Sequence, residues 1–158
     1  QVSLTLAGRM KRSTLVVALA VFMSAATLAE SVVAEFFPGK EAFLDSVSHA
    51  NTFAVVFEDD GDTGYFYALD TSIEDQPILD AVHIYNVKDV VDSGKVSEAK
   101  VIWSETGEQA TLLINGYPHA VFDFAAKRGY CRTGFPPPAA GWSSAGHAWD
   151  DAAMKFFE

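Results

Sequence analysis

The segment FAVVFEDDGDTGYFYALD, residues 53–70, decides the fold. An apolar run, Phe53 to Phe57, precedes a cluster of four carboxylates and two glycines, and an aromatic-rich run, Tyr65 to Leu69, follows it. Two such runs around a Gly/Asp cluster are typical of a β-hairpin. Alternate residues of a strand point to opposite sides, and both sides of the first run are apolar. We therefore predict a hairpin whose first strand is central and covered on both faces.

The same pattern continues toward the C-terminus. Residues 99–104 and 110–114 flank a glycine-containing turn, and residues 117–124 and 130–132 flank another, so each pair predicts a hairpin. A further strand is centred on residues 82–85. Strands that follow one another through short turns, without helices between them, favour an antiparallel sheet.

Two segments complete the predicted domain. Lys40 to Val47 is compatible with a short helical turn or with an edge strand. HAWDDAAMKFF, residues 147–157, predicts a short helix with Trp149, Ala153, Phe156 and Phe157 roughly on one face. The sequence thus predicts a mainly β (α+β) fold, a single antiparallel sheet domain of about six or seven strands with a C-terminal helix.

Residues 1–29 have the layout of a secretory signal peptide. Met10-Lys11-Arg12 precedes the apolar run LVVALAVFMSAATLA, which ends in small residues. The run is short for a permanent membrane anchor. We expect an exported, periplasmic location if translation starts at Met10 and a cytoplasmic one if it starts at Met23. Residues 30–158 are assigned to one globular β-rich domain.

The chain is strongly acidic, with 21 acidic and 11 basic residues and a net charge of −10. Three of the basic residues precede Glu30, so residues 30–158 carry 21 acids against 8 bases. Such a surface repels nucleic acid and anionic lipid and attracts basic proteins or cationic ligands. We expect a basic protein partner, no nucleic acid and no stable membrane anchor.

Residues that could support catalysis are sparse. Cys131, His119 and Asp123 lie close in sequence and combine a nucleophile, a base and a carboxylate. In a strand, however, His119 and Asp123 would share a face about 13 Å apart. A five-residue turn would place Asp123 opposite Cys131, where a carboxylate disfavours the reactive thiolate. We assign no catalytic residue and keep these three as candidate reactive residues.

Metal and cofactor sites are not indicated. The run Asp59-Asp60-Gly61-Asp62 lacks the acid spacing of an EF-hand loop. The histidines lack the spacing of metal ligands, and a single cysteine excludes a cysteine-rich zinc site and an internal disulfide. We predict no metal and no cofactor.

The segment KRGYCRTGF, residues 127–135, is the candidate binding surface. It gathers three of the eight basic residues of the domain next to aromatic side chains. An arginine fork beside an aromatic ring suits recognition of a carboxylate or a peptide. In the alternative, Arg132 has an internal role and pairs with an acid of the Asp59 loop. The candidate binding residues are Arg128, Tyr130, Arg132 and Phe135.

Several motifs together resemble a family of small acidic bacterial proteins classed as a domain of unknown function. The resemblance covers roughly residues 50–157. It implies no established activity, cofactor or site residue. Members of that family start shortly before the first hairpin, and the export-like N-terminus departs from this pattern. The motifs are VVFEDDGDTGYFYALD, ILDAVHIYNV, VIWSE, YPHAVFDF and RGYCRTGFPPP.

The acidity, the aromatic segment and the missing catalytic constellation favour a non-catalytic protein-interaction module. An immunity-type inhibitor of a basic toxin is one concrete version. The alternative is a small enzyme or ligand-binding protein that uses Cys131, His119 and Asp123.

Overall fold

The computed structural model describes residues 31–142 and 144–158. This part of the chain forms nine β-strands and two short 3-10 helices. The helices are Val87–Asp89 and Asp151–Phe157. The strands are β1 Ser31–Phe36, β2 Ala42–Val47, β3 Phe53–Asp59, β4 Thr63–Asp70, β5 Ile78–Asn86, β6 Ser97–Trp103, β7 Gln109–Ile114, β8 Tyr117–Asp123 and β9 Arg128–Cys131.

The strands form two antiparallel sheets, so the prediction of a single sheet with six or seven strands is wrong, while the mainly β class is confirmed. The five-stranded sheet has the order β1-β6-β7-β8-β9, and the four-stranded sheet has the order β2-β3-β4-β5. The three predicted hairpins are present as β3-β4, β6-β7 and β8-β9. The chain changes sheet twice because β1 pairs with the distant β6 rather than with its sequence neighbour β2.

The core lies between the inner faces of the two sheets. Trp103 of β6 is fully buried, and its Nε1 donates to Ser46 Oγ of β2 at 2.9 Å. The rings of Phe66 and Phe122, one from each sheet, stack with centroids 5.2 Å apart. These contacts hold the two layers face to face. The strand residues fully or almost fully buried in this core include Val55, Phe57, Phe66, Ala68, Val82, Val101, Trp103, Leu112, Ala120 and Phe122.

Strands β5 and β9 are connected at one side of the molecule by the segment that follows β9. His83 N donates to Phe135 O, and Thr133 Oγ1 donates to His83 O, both at 2.8 Å. These bonds occupy backbone groups at the edge of β5. The segment Lys40 to Val47 was compatible with a helical turn or an edge strand. It contains the edge strand β2, at the opposite edge of the four-stranded sheet from β5.

The C-terminal helix is shorter than the predicted segment 147–157 and is a 3-10 helix. Its side-chain cap is Asp150, whose carboxylate accepts a hydrogen bond from Ala152 N at 2.8 Å. Ala153 is fully buried against Val121 and Tyr130, on the outer side of the five-stranded sheet. The helix begins later than predicted because the preceding residues bond to the end of β9: Cys131 N donates to His147 O, and Ala148 forms a parallel bridge with Cys131.

The predicted signal-like segment, residues 1–29, lies outside the described residues. Within residues 31–142 and 144–158, no helix has the length and apolar character that crossing a bilayer requires.

Candidate functional site

The side of the four-stranded sheet that faces away from the core carries an ordered grid of side chains, which we call the outer face. The strand pairings align its residues in three rows across β2, β3, β4 and β5. Nine of the twelve positions are apolar or aromatic and two are carboxylates. The rows are Phe43-Glu58-Tyr65-His83, Asp45-Val56-Tyr67-Ala81 and Val47-Ala54-Leu69-Ile78.

Solvent reaches much of the outer face. Phe43, Val47 and Ile78 are 64, 51 and 57 % exposed, and Tyr65 and Tyr67 are half-buried. On β3, Val56 and Glu58 are partly exposed and Ala54 is buried, so the outer side of this strand is covered only in part, while its internal place in the sheet is confirmed. Contiguous apolar surface of this kind on a monomer commonly marks an interaction site.

Aromatic rings form a continuous series on one part of the outer face. The rings of Tyr65 and Tyr67 stack with centroids 6.0 Å apart, and His83 meets Tyr65 edge-on at 5.4 Å. Phe135, from the segment after β9, meets His83 edge-on at 6.1 Å and is itself 53 % exposed. Aromatic residues are enriched at protein interfaces because they bring large contact areas with few rotatable bonds.

The electrostatic character of the outer face is acidic. Between Lys40 and Lys88 the chain has ten Asp or Glu residues and no Lys or Arg. The two carboxylates of the face are Asp45 and Glu58. Burial, and next a hydrogen bond to Glu58, raise the pKa of Tyr67 to about 12, so this hydroxyl remains a neutral donor at physiological pH. The outer face thus presents aromatic rings and negative charge together.

His83 has its ring nitrogens occupied by neighbouring side chains. Nδ1 lies 3.2 Å from Thr133 Oγ1, and Nε2 lies 3.1 Å from Asn86 Oδ1. The ring is only 9 % exposed. His83 therefore positions Tyr65 and Phe135 on the outer face and has no ring nitrogen directed at solvent.

The acidic tip of the β3-β4 hairpin is organised by its own hydrogen bonds. Asp59 is buried and accepts bonds from Gly39 N, Gly61 N and the Tyr85 hydroxyl at 2.9, 2.8 and 2.6 Å. Burial, followed by the Asp59 carboxylate, raises the pKa of Tyr85. Among the described residues, no group of three His, Cys, Asp or Glu side chains could hold a metal ion.

The four candidate binding residues do not form one surface. Arg128 stacks on Tyr130 at 4.3 Å, and Tyr130 is buried under the C-terminal helix on the five-stranded sheet. Arg132 is exposed on that same side, where its guanidinium lies 3.7 Å from the Trp149 ring centroid. Phe135 belongs instead to the outer face of the other sheet. Arg128, Tyr130 and Arg132 share one side because they alternate along the chain, whereas Phe135 lies past the end of β9, in the segment that bonds to the edge of β5.

Arg132 does not pair with the Asp59 loop in the part of the chain that the structure describes. Its Nε donates to Pro118 O at 3.0 Å, and its guanidinium also approaches the ring of Tyr117 at 4.9 Å. The Asp59 carboxylate is already satisfied by two backbone amides and a tyrosine. The alternative in which these two groups form an internal ion pair is therefore wrong.

The structure does not bring Cys131, His119 and Asp123 together. Asp123 pairs with Arg128, and Cys131 pairs with Ala120, so the expected register with Asp123 opposite Cys131 is wrong. Cys131 is fully buried in the core, where Thr133 Oγ1 and Phe135 O each lie 3.6 Å from Sγ. His119 and Asp123 lie on the opposite side of β8.

His119 and Asp123 have separate surroundings. Burial, and then the Arg132 charge, lower the pKa of His119 to about 4. The Asp123 carboxylate accepts bonds from Gln109 Nε2 and Ala126 N, both at 3.1 Å. Neither residue contacts the thiol.

The exposed residues of β2 are not among the candidate site residues predicted from the sequence. Phe43, Asp45 and Val47 alternate with Leu44 and Ser46, which are buried. This alternation is a strand signal with one solvent-facing side, and it could have identified the acidic and apolar edge of the outer face.

Comparisons with known proteins give a family and no activity. A family model described as an uncharacterised protein conserved in bacteria, DUF2251, matches residues 36–158, which confirms the resemblance. An uncharacterised protein of Haemophilus influenzae is 54 % identical over 86 residues, which are 54 % of this chain and 53 % of that protein. The match thus spans about half the length of that curated relative. No solved structure matches the chain significantly. Since the family model covers most of the sequence, the chain belongs to this family of uncharacterised bacterial proteins.

Proposed function

We propose that the protein is a non-catalytic interaction module whose outer face binds a basic protein. The observation that carries this proposal is the composition of the outer face, which combines nine apolar or aromatic positions with two carboxylates and no basic residue. A partner surface with lysine or arginine among apolar residues complements it. Inhibitors of basic enzymes or toxins act on partners of this class.

The apolar side chains would supply most of the affinity. Full burial of a large apolar side chain contributes about 1.5–3 kcal/mol. Phe43, Val47 and Ile78 are each more than half exposed, so covering them would contribute about 1 kcal/mol apiece. Tyr65 and Tyr67 add aromatic area that is already held in place by stacking.

The carboxylates would supply selectivity and faster association. Complementary charge accelerates encounter and suppresses partners of the wrong sign. Asp45 lies between Phe43 and Val47 on β2, so a cation placed there would be flanked by apolar contacts. The same negative charge disfavours nucleic acid and anionic lipid as ligands.

A matched pair of valines tests the proposal. Val47 on β2 and Val33 on β1 are 51 and 49 % exposed, and they lie on edge strands of different sheets. We would purify tagged wild-type, Val47→Lys and Val33→Lys proteins from a bacterium that carries the gene and identify bound proteins by mass spectrometry. Circular dichroism and thermal melting would establish that all three are folded.

The expected result is a basic partner that wild type and Val33→Lys retain and Val47→Lys loses. Binding should weaken as salt increases, because exposed charges are screened over about 8 Å at physiological ionic strength. Equal retention by both valine variants, an acidic partner, or no partner retained by wild type would each overturn the proposal.

A further inference from the structure

We propose that the partner adds a β-strand to the free edge of β2 and places a basic side chain opposite Asp45. This inference rests on the proposed function, because it specifies how the same face would be recognised. Three observations support it: which residues of β2 direct their backbone groups away from β3, the cleft beside this strand, and the charge along it.

The hydrogen-bond phase of β2 leaves three residues with outward-facing backbone groups. Ser48 N donates to Phe53 O at 2.8 Å, which makes Ser48 and Phe53 a hydrogen-bonded pair. Hydrogen-bonded and non-hydrogen-bonded pairs alternate in an antiparallel ladder. Phe43, Asp45 and Val47 therefore direct their N–H and C=O groups away from β3, toward the free edge.

The edge of β2 has few of the features that usually block strand addition. Six consecutive residue pairs join β2 to β3 without a bulge, and β2 contains no proline, lysine or arginine. Natural edge strands commonly use bulges, prolines and lysines to prevent pairing with another chain. The edge of β5 differs, because the backbone of His83 already bonds to Phe135 and Thr133.

A cleft of about 350 Å³ runs beside this free edge, where β2 approaches β1. Phe36, Leu44 and Phe57 contribute apolar walls, and Lys40 and Glu41 lie at its lining. In an added strand, alternate side chains would enter this cleft while the others would extend the outer face. The partner strand should therefore carry apolar residues on its cleft side.

Charge selects the side chain on the other side of the added strand. Asp45 is exposed between Phe43 and Val47, Glu58 pairs with Phe43, and Glu41 directly precedes β2. A lysine or arginine directly opposite Asp45 forms a favourable cross-strand pair, whereas a carboxylate there is destabilising. A second copy of this chain is disfavoured, because antiparallel β2 strands paired symmetrically about residue 45 would bring two Asp45 side chains together.

The probe for this inference is a capped peptide, Lys-Val-Ile-Lys-Ile-Val-Lys, whose central lysine would lie opposite Asp45. Two control peptides carry either glutamate or an N-methylated lysine at the centre. The N-methyl group retains the charge but removes the N–H that would donate to the β2 edge. Amide hydrogen exchange of β2 would be followed by NMR with each peptide.

We expect the lysine peptide to slow exchange at Phe43, Asp45 and Val47, by about tenfold at a peptide concentration ten times the dissociation constant. Leu44 and Ser46 should change little, because their amides already face β3. Neither control peptide should give this alternating protection. Asp45→Lys should reverse the preference toward the glutamate peptide, whereas Glu98→Lys, at an exposed position of β6 outside the cleft lining, should not.

Three other outcomes would overturn the inference and remain distinguishable. If Val47→Lys abolishes partner binding while neither peptide nor partner protects the β2 amides, the interface stands but strand addition does not. If the valine variants also behave alike, the proposed function fails as well. A concentration-dependent dimer that protects the same three amides, detected by sedimentation, would show that a second copy occupies the edge.

Discussion

Nε2 of His147 lies 2.7 Å from Oδ2 of Asp80, and both side chains are buried. The other ring nitrogen of His147 contacts Pro136 O, and Oδ1 of Asp80 accepts from Ala81 N and Ala139 N. The pair fixes the proline-rich segment against strand β5.

Removal of the His147 ring should destabilise the fold strongly. His147→Ala removes a hydrogen-bond partner from the buried Asp80 carboxylate and leaves a cavity, which together cost about 3 kcal/mol. Urea denaturation would measure the loss, with Glu74→Ala, at an exposed position of the loop between β4 and β5, as the control that changes stability by less than about 1 kcal/mol. A loss for His147→Ala that is no larger than the control would contradict this role.

The Asp59 carboxylate should stabilise the hairpin tip through its buried bonds. Asp59→Asn retains the shape but exchanges one acceptor oxygen for a donor, facing groups that are themselves donors. We expect a loss of about 2 kcal/mol in the free energy of unfolding. Asp62→Asn, at an exposed position of the same turn, provides the comparison and should have a small effect. Equal effects would show that the buried bonds contribute nothing specific.

Acid should destabilise the protein through His119. Its pKa is lowered from 6.5 to about 4 by burial and by Arg132, so between these pH values the unfolded chain binds a proton that the folded chain does not. Stability from this group is thus complete above about pH 6.5 and falls as the pH drops toward 4, by on the order of 1 kcal/mol per pH unit.

Thermal or urea denaturation at several pH values between 4 and 7 would measure this slope. His119→Gln should flatten it, because the substituted side chain does not titrate. An unchanged slope in His119→Gln would contradict the account of this histidine. Asp60 and Asp70, whose pKa values are lowered by hydrogen bonds from Thr63 and Ser72, respectively, act in the same direction, at still lower pH.

The Cys131 thiol should react with Ellman's reagent only when the chain opens. Its side chain is fully buried in the core, and native cores open with free energies near that of global unfolding. We expect labelling at least about a thousandfold slower than that of an exposed thiol. Ser144→Cys in a Cys131→Ala background provides the exposed reference. Rapid native labelling of Cys131 would instead revive the hypothesis of a reactive cysteine.

Local signals in the sequence were sufficient for the hairpins. Gly61 and Gly107 adopt positive φ values of 96° and 69° in their turns, and Asn115-Gly116 adopts 51° and 75°. These conformations favour Gly and Asn, so the residue types alone locate the turns. The register of the third hairpin could not be predicted as securely, because it depends on the length of its turn.

The division into two sheets has no comparable local signal. The strand β1 pairs with β6, and only the packing of distant residues such as Trp103 on Ser46 distinguishes this arrangement from one continuous sheet. The alternation of Tyr65 and Tyr67 with Phe66 predicts that they lie on opposite faces of β4, but the sequence does not say which of the two faces is exposed to solvent. The buried Asp80–His147 pair was missed for the same reason, since 67 residues separate its members.

The central claim is that a basic partner binds the acidic, aromatic outer face, and one comparison of affinities tests it most directly. Asp45→Lys and Glu98→Lys make the same charge change at exposed positions on β2 and β6, and Glu98 is not part of the cleft lining. The dissociation constant of the captured basic partner would be measured for both variants and wild type at one salt concentration. Asp45→Lys should weaken binding about tenfold or more, and Glu98→Lys should leave it within about twofold. Equal weakening by the two variants, or none by either, would contradict the account.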